Sequence, residues 1–214
     1  MYGVNTIVAY PVQSAPNIQA NHEPLDYLGI DFKKTSFFYP SFPRVFKNFE
    51  LLCEAAQKLE ATRDDFEVIV TLDGTENTYA QNILNRFKHV KSIKFIGIQK
   101  RSIIQQLYEK VDVMAFPSKL ETWGLPISEF KVVDKPILLA DLPYAHENIG
   151  GYNKAKFFDP EDAVQLAGCM DMMIQNKLTF DKNEVVTPRF PFFKDWDNLL
   201  IFLLEQAAAN KTSI

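Results

Sequence analysis

Two glutamates, Glu121 and Glu129, stand eight positions apart in the segment ETWGLPISE, with a glycine and a proline between them. A pair of carboxylates can act as acid and base on a sugar when they lie roughly 5–9 Å apart. On one continuous helix, eight residues would separate them by about 12 Å. Gly124 and Pro126 instead predict a turn followed by a new helix, because proline suits the first turn of a helix. Glu121 is then expected in a loop, and Glu129 about one turn into the helix.

The start of that helix offers a second kind of chemistry. Backbone N–H groups near Gly124 and Leu125 would lie at its N-terminus, where unpaired amides and the helix dipole stabilise an anion. Two carboxylates that bind hydroxyl groups around an anion site fit a nucleoside diphosphate sugar. One carboxylate would bind the ribose, the other would bind the sugar, and the amides would face the diphosphate.

The elements that must position these residues alternate along the chain. Nearly continuous apolar runs predict six strands covered on both faces, at 35–40, 66–71, 91–97, 111–117, 136–141 and 155–159. Segments with helical spacing lie between them, at 48–59, with Asn48 as the N-cap, and at 77–88, 101–110 and 125–133. This alternation predicts an α/β fold with a Rossmann-like, doubly wound parallel sheet. Such sheets bind ligands beyond the carboxyl ends of their strands, where Asp73, Gly74, Gly97 and 118–124 fall.

Composition excludes several classes of protein. The chain has 214 residues, 47% hydrophobic and 23% charged, which is enough to bury a sizeable core in one domain or slightly more. A net charge of −4 gives no general basic surface for nucleic acid. The longest apolar runs fall short of the ~18 residues that span a bilayer, and the N-terminus lacks a signal-peptide pattern. The sequence therefore predicts a soluble, cytoplasmic chain in which Cys53 and Cys169 are buried and reduced.

The segment FPSKLETWGLPISEF (116–130) resembles the Glu-x7-Glu signature of the retaining nucleotide-sugar glycosyltransferases with two Rossmann-like domains, the GT-B architecture. The resemblance is greatest to bacterial enzymes that build surface polysaccharides such as lipopolysaccharide O-antigen and capsule. It runs from about Thr35 to about Leu166. Six further blocks follow in the family's order: YPSFPRVFKN (39–48), VTLDGTEN (70–77), IKFIGI (93–98), LYEKVDVMAFPS (107–118), KPILLADLPYAHENIGG (135–151) and FFDPED (157–162).

This resemblance implies roles for individual residues of the signature. Glu129 would bind the ribose hydroxyls, and Glu121, as the catalytic residue, would contact the transferred sugar. The backbone that would contact the sugar and the phosphates belongs to Thr122, Trp123, Gly124 and Leu125.

The family also clamps the diphosphate with an arginine and a lysine, usually five residues apart, before its first helix. Lys47 falls on the lysine position, whereas Phe42 stands at the arginine position and Arg44 lies nearby as a candidate substitute. Ile98 is a candidate contact for the base. Two cations here would neutralise the charge on a leaving UDP or GDP, as a metal ion does elsewhere.

No metal ion is therefore expected in the site. Asp195 and Asp197 have the spacing of the Asp-x-Asp metal motif of another glycosyltransferase architecture. They directly precede an apolar helical segment, so we interpret them as acidic residues at a helix N-terminus.

The resemblance also implies a domain organisation. Residues 35–180 would form the nucleotide-sugar-binding domain, the C-terminal half of a GT-B fold. Residues 1–34 would be a linker or a remnant of an absent N-terminal acceptor domain. Residues 181–214 would form a crossover region, whose helix from about Trp196 to Ala209 would expose an apolar face. An isolated donor domain is expected to transfer sugar feebly or not at all, because one wall of the cleft is missing.

The expected partners follow from the same resemblance. The donor would be a nucleotide sugar, with a UDP-sugar favoured and a GDP-sugar as the alternative. A glycan or lipid-linked acceptor would bind through the absent domain, with peripheral contact of the full-length enzyme to the inner membrane. Nucleic acid is not an expected partner.

Two other classes of function remain open. A nucleotide-sugar epimerase or a phosphorylase can use the same fold, although an epimerase needs a further acid–base set that the sequence does not show. A non-catalytic module that binds a nucleotide or docks a partner is the second alternative.

Overall fold

The computed structural model describes residues 8–9, 23–185, 191–193 and 195–211. The chain divides into two compact units, one of residues 16–185 and one that joins residues 1–15 to residues 186–214. The candidate site lies in the larger unit.

Six strands and six α-helices alternate through residues 23–185, the described part of the larger unit. The strands are β1 (Thr35–Tyr39), β2 (Phe66–Val70), β3 (Ile93–Phe95), β4 (Val113–Phe116), β5 (Ile137–Ala140) and β6 (Ala155–Phe158). The helices are α1 (Phe49–Glu60), α2 (Thr78–Phe87), α3 (Arg101–Lys110), α4 (Leu125–Lys131), α5 (Pro143–Ile149) and α6 (Ala163–Ile174). Short 3-10 turns lie at Asp26–Leu28 and Val45–Lys47. Every strand and helix predicted for this unit is present, and α5 and α6 are additional helices that the sequence pattern did not indicate.

All neighbouring strands of the sheet are parallel, in the order β3-β2-β1-β4-β5-β6. The order reverses between β1 and β4, which pair directly through Phe37 with Val113 and Phe38 with Met114. This is the strand order of dinucleotide-binding Rossmann folds, and it opens a crevice at the carboxyl ends of those two strands. The predicted doubly wound α/β fold is confirmed.

An aromatic side chain at the end of β1 links the hydrophobic core to the edge of the crevice. Tyr39 is fully buried and packs on Phe49 and Phe116, with ring centroids 4.7 and 5.3 Å apart. Its hydroxyl donates to the carbonyl of Lys47 at 2.9 Å. Burial raises the pKa of Tyr39 well above its usual value, so this hydroxyl stays a neutral donor. The hydrophobic core therefore fixes the backbone of a predicted site residue.

Asn48 does not cap α1 with its side chain, contrary to the sequence prediction. Its φ of 56° is left-handed, whereas side-chain capping favours an extended N-cap residue. Its Nδ2 instead donates to the carbonyls of Pro117 at 3.2 Å and Pro160 at 2.9 Å. The amide of Phe49 donates to the hydroxyl of Tyr79 at 3.1 Å. Asn48 thus joins the start of α1 to the segments that follow β4 and β6.

The two cysteines are buried and form no disulfide, as predicted. Burial raises the pKa of the Cys53 thiol, which keeps it protonated.

In the smaller unit, strands Val8–Ala9 and Phe192–Phe193 pair in parallel and helix α7 spans Trp196–Lys211. The apolar segment VNTIVAYP (4–11) also predicts a strand. The structure describes it only at Val8–Ala9, and its other residues lie outside the described part of the chain. Leu200, Ile201 and Leu204 of α7 are exposed. Among the described residues, no helix is long and apolar enough to cross a membrane.

Candidate functional site

The segments that follow β1 and β4 meet at the crevice where the strand order reverses. The amide of Lys119 donates to the carbonyl of Phe46 at 2.7 Å. The hydroxyl of Ser118 donates to the carbonyl of Leu120 at 3.0 Å, and that of Tyr144 donates to the carbonyl of Ser118 at 2.6 Å. These bonds fix the loop that leads into Glu121.

Lys47 and Glu121 form an ion pair in this crevice. Lys47 Nζ lies 2.5 Å from Glu121 Oε1, and the two side chains are 17% and 9% exposed. Burial raises the pKa of Tyr39 and of Tyr144, and the charge of Glu121 adds to both shifts. The residue predicted to bind phosphate and the residue predicted to contact the sugar are therefore brought together, 74 positions apart in sequence.

A glycine turn separates Glu121 from the helix that follows it. Gly124 has φ 78° and ψ 54°, a left-handed conformation that strains any residue with a Cβ. A Cβ at this position would also lie 3.1 Å from Ile127 Cδ1. Helix α4 begins at Leu125 with Pro126 in its first turn, as predicted. Glu129 follows as the fifth residue of the helix.

Glu129 faces a pocket of about 420 Å³ beside the crevice. Its Oε1 lies 2.8 Å from a guanidinium nitrogen of Arg101, and its Oε2 accepts from the Tyr108 hydroxyl at 3.3 Å. Burial, and next the charge of Glu129, raises the pKa of Tyr108 well above its usual value. The pocket is lined by residues after β1 and β2, around α3, and from α4: Pro40, Ser41, Phe42, Thr71, Ile98, Gln99, Arg101, Ile104, Tyr108, Leu125, Pro126 and Glu129.

The other predicted site residues fall at different places. Ile98 and Leu125 line the pocket and are 53% and 49% exposed. Thr122 is exposed and Trp123 is half-buried. The exposed Arg44 lies over the ring of Phe42, 5.5 Å from its centroid, and lines a separate cavity with Asn77 and Tyr79. Its predicted role as the second phosphate-binding cation stays a prediction.

Arg101 and Tyr108, which contact Glu129, are site residues that the sequence did not indicate. Both lie on α3, which the helical spacing of 101–110 predicts, but nothing in that spacing indicates which side chains face α4. An arginine at the start of a helix is ordinarily a solvated residue, so its pairing with Glu129 has no local signal.

The described residues contain no group of three or more His, Cys, Asp and Glu side chains placed to hold a metal ion. Asp195 accepts from the backbone amide of Asn198 at 2.8 Å, and Asp197 lies in the first turn of α7. The prediction that these acids mark a helix start is confirmed.

The chain belongs to the family described as glycosyl transferases group 1, whose model matches residues 28–186. With its six-stranded parallel sheet, the larger unit has the Rossmann-like fold of a GT-B glycosyltransferase domain. No curated protein matches the sequence.

Solved structures share this fold at low sequence identity. A glycosyltransferase from Rickettsia africae has a TM-score of 0.61 and 22% identity, over 72% of this chain and 41% of its own. HepE from Anabaena, in complex with UDP and glucose, has a TM-score of 0.56 and 22% identity, over 67% of this chain and 40% of its own. Sucrose-phosphate synthase from Thermosynechococcus elongatus has a TM-score of 0.58 and 15% identity, over 71% and 39%. The chain thus matches about two fifths of the length of each of these proteins.

The two ion pairs of the site should contribute differently to stability. Lys47→Met leaves the 9% exposed carboxylate of Glu121 without its cation, and should lower the free energy of unfolding by about 1–3 kcal/mol. Arg101→Met removes a cation that is 66% exposed, and should change the free energy of unfolding by less than about 1 kcal/mol. Urea denaturation of both variants measures the difference.

A double variant provides the control. Adding Glu121→Gln to Lys47→Met removes the unpaired buried charge and should recover part of the lost stability. Equal losses for Lys47→Met and Arg101→Met, with no recovery in the double variant, would contradict this reading of the site.

Proposed function

We propose that this chain binds a nucleoside diphosphate sugar and is the donor-binding domain of a retaining glycosyltransferase. The observation that carries the proposal is the placement of Glu121, Glu129 and Lys47. Lys47 and Glu121 pair at the strand-order reversal, and Glu129 lines the pocket beside it, in a domain of the group 1 glycosyltransferase family. A UDP-sugar is favoured over a GDP-sugar, with support from the UDP bound in HepE.

The nucleoside would occupy the pocket beside α4. Glu129 is 23% exposed there, and its carboxylate oxygens can accept from the two ribose hydroxyls. The ribose would share this carboxylate with Arg101 or displace the arginine. Loss of the ion pair would cost little free energy because Arg101 is mostly exposed. Ile98, exposed at the pocket wall, offers an apolar contact for the base.

The diphosphate would bind at Lys47. In the ligand-free chain this ammonium neutralises Glu121, and an incoming phosphate would compete for it. The backbone of Thr122, Trp123, Gly124 and Leu125 would then contact phosphate and sugar, with Arg44 as the second cation. Fixed positive charge at the diphosphate lowers the barrier to its departure, because it stabilises charge that grows in the transition state.

Glu121 is the proposed catalytic residue, in contact with the transferred sugar. Its carboxylate lies beside Lys47, and the sugar would join the diphosphate at this position. The motif resemblance supports retention of configuration and a polysaccharide or lipid-linked acceptor of the bacterial cell surface. The acceptor would bind outside the donor domain described here.

Binding should not require a divalent cation, since Lys47 and Arg44 supply the positive charge. Calorimetric titration with UDP-glucose should give the same dissociation constant in EDTA and in Mg²⁺. A titration with GDP-mannose tests the preference for uracil over guanine. Tighter binding of GDP-mannose than of UDP-glucose would show that a GDP-sugar is the donor. Loss of binding in EDTA that Mn²⁺ restores would contradict the metal-free site.

Substitution of the two glutamates should change the affinities for UDP and UDP-glucose in different ways. Glu129→Ala removes a contact to the ribose, which UDP and UDP-glucose share, so both should bind about ten- to a hundredfold more weakly. Glu121→Ala removes a contact to the sugar alone. It should weaken UDP-glucose while leaving UDP unchanged or slightly tighter, because it frees Lys47 for the phosphates.

Calorimetry with both ligands on both variants measures this difference. Glu54→Ala is a matched control, because it breaks an ion pair with Arg86 on another part of the domain and should change neither affinity. Equal weakening of UDP by the two site variants, in folded protein, would refute the assigned division of roles.

A further inference from the structure

One buried side chain outside the signature forms hydrogen bonds to residues that lie between the two glutamates. Asn148, on α5, is 4% exposed. Its Nδ2 donates to the carbonyl of Trp123 and, at 3.3 Å, to that of Gly124. Its Oδ1 accepts from the hydroxyl of Ser128 at 3.0 Å. One amide therefore bonds to the turn after Glu121 and to the residue just before Glu129.

The chemistry of this position calls for an amide. Two backbone carbonyls face Nδ2, and carbonyls accept hydrogen bonds without donating them, so the nitrogen must point toward the turn. The opposite atom must accept from Ser128. An aspartate would lack the donors, and an apolar side chain would leave buried polar groups unpaired. The left-handed turn at Gly124 thus has a partner that satisfies its outward carbonyls.

Asn148 is itself held in place. Its backbone carbonyl accepts from Lys131 Nζ at 2.6 Å, and that lysine lies at the end of α4. Helix α5 is therefore bonded to the turn that precedes α4, to Ser128 and to the last residue of α4. The distance between the loop that carries Glu121 and the helix that carries Glu129 depends on this contact.

We propose that Asn148 is a positioning residue, which sets the geometry of Glu121 relative to Glu129 without touching the ligand. The inference rests on the proposed function, in which one ligand must reach both carboxylates at once. UDP would bind Glu129, Lys47 and the backbone of the turn, and it would make no contact with Glu121. A nucleotide sugar would span the turn and contact both carboxylates, and the loss of its contact with Glu121 would weaken binding about tenfold or more.

The measurement is the ratio of the dissociation constants of UDP and UDP-glucose, together with the Tm of each variant. Asn148→Ala should weaken UDP-glucose by roughly tenfold more than it weakens UDP, which is the loss of about one sugar contact. Ser128→Ala removes one of the three bonds and should shift the ratio less, in the same direction. If Asn148→Ala does not fold, the ratio measured for Ser128→Ala tests the proposal.

Asn183→Ala is the matched control. Its Nδ2 donates to the carbonyls of His146 and Gly150 at 2.9 and 2.8 Å, so it makes the same kind of contact at α5, away from the turn. It should lower the Tm and leave the ratio unchanged. A purely structural role for Asn148 would give the same result, a lower Tm with an unchanged ratio.

The outcomes separate this inference from the function on which it rests. An unchanged ratio in every folded variant, with a wild-type chain that binds both ligands, overturns the positioning role and leaves the proposed function intact. A wild-type chain that binds neither ligand overturns the proposed function itself.

Discussion

The reversal of strand order between β1 and β4 is the constraint on which the site depends. Connections leave these two neighbouring strands toward opposite sides of the sheet, so their carboxyl ends cannot be covered by one continuous helix layer. The segments after them meet at this crevice, where the amide of Lys119 donates to the carbonyl of Phe46. This brings Lys47 and Glu121 together from distant parts of the sequence.

Charge at this edge is balanced before any ligand arrives. Each glutamate of the signature has a cation within 3 Å, one mostly buried and one mostly exposed. A carboxylate that is only 9% exposed would lose much of its hydration, and Lys47 offsets that loss. The more exposed pair is weakly held, so Arg101 can yield to a ligand at little cost. In the proposed function, the diphosphate would replace Glu121 as a partner of Lys47, and the ribose would replace Arg101 as a partner of Glu129.

The fold could be predicted from the sequence because its strands are buried on both faces. Runs such as the one that forms β2 are apolar throughout, and this signal is local. The start of α4 was equally predictable, since Gly124 and Pro126 each favour one conformation. Both predictions depend on residues that lie next to one another in the chain.

Contacts between elements could not be predicted in this way. Asn48 has the residue type of an N-cap, but its left-handed backbone directs its amide to Pro117 and Pro160. Arg101 and Asn148 carry no local pattern that distinguishes them from a solvated arginine and a polar helix residue. Their partners are known only once α3, α4 and α5 are placed against the sheet.

The most direct test of the central claim is a crystal structure of this chain with UDP-glucose. We expect the ribose hydroxyls about 2.6–3.0 Å from the carboxylate of Glu129, the diphosphate at Lys47, and the glucose at Glu121. A nucleotide whose ribose lies away from Glu129 would contradict the proposed function. A bound ligand that contacts neither Lys47 nor Glu121 would also contradict it.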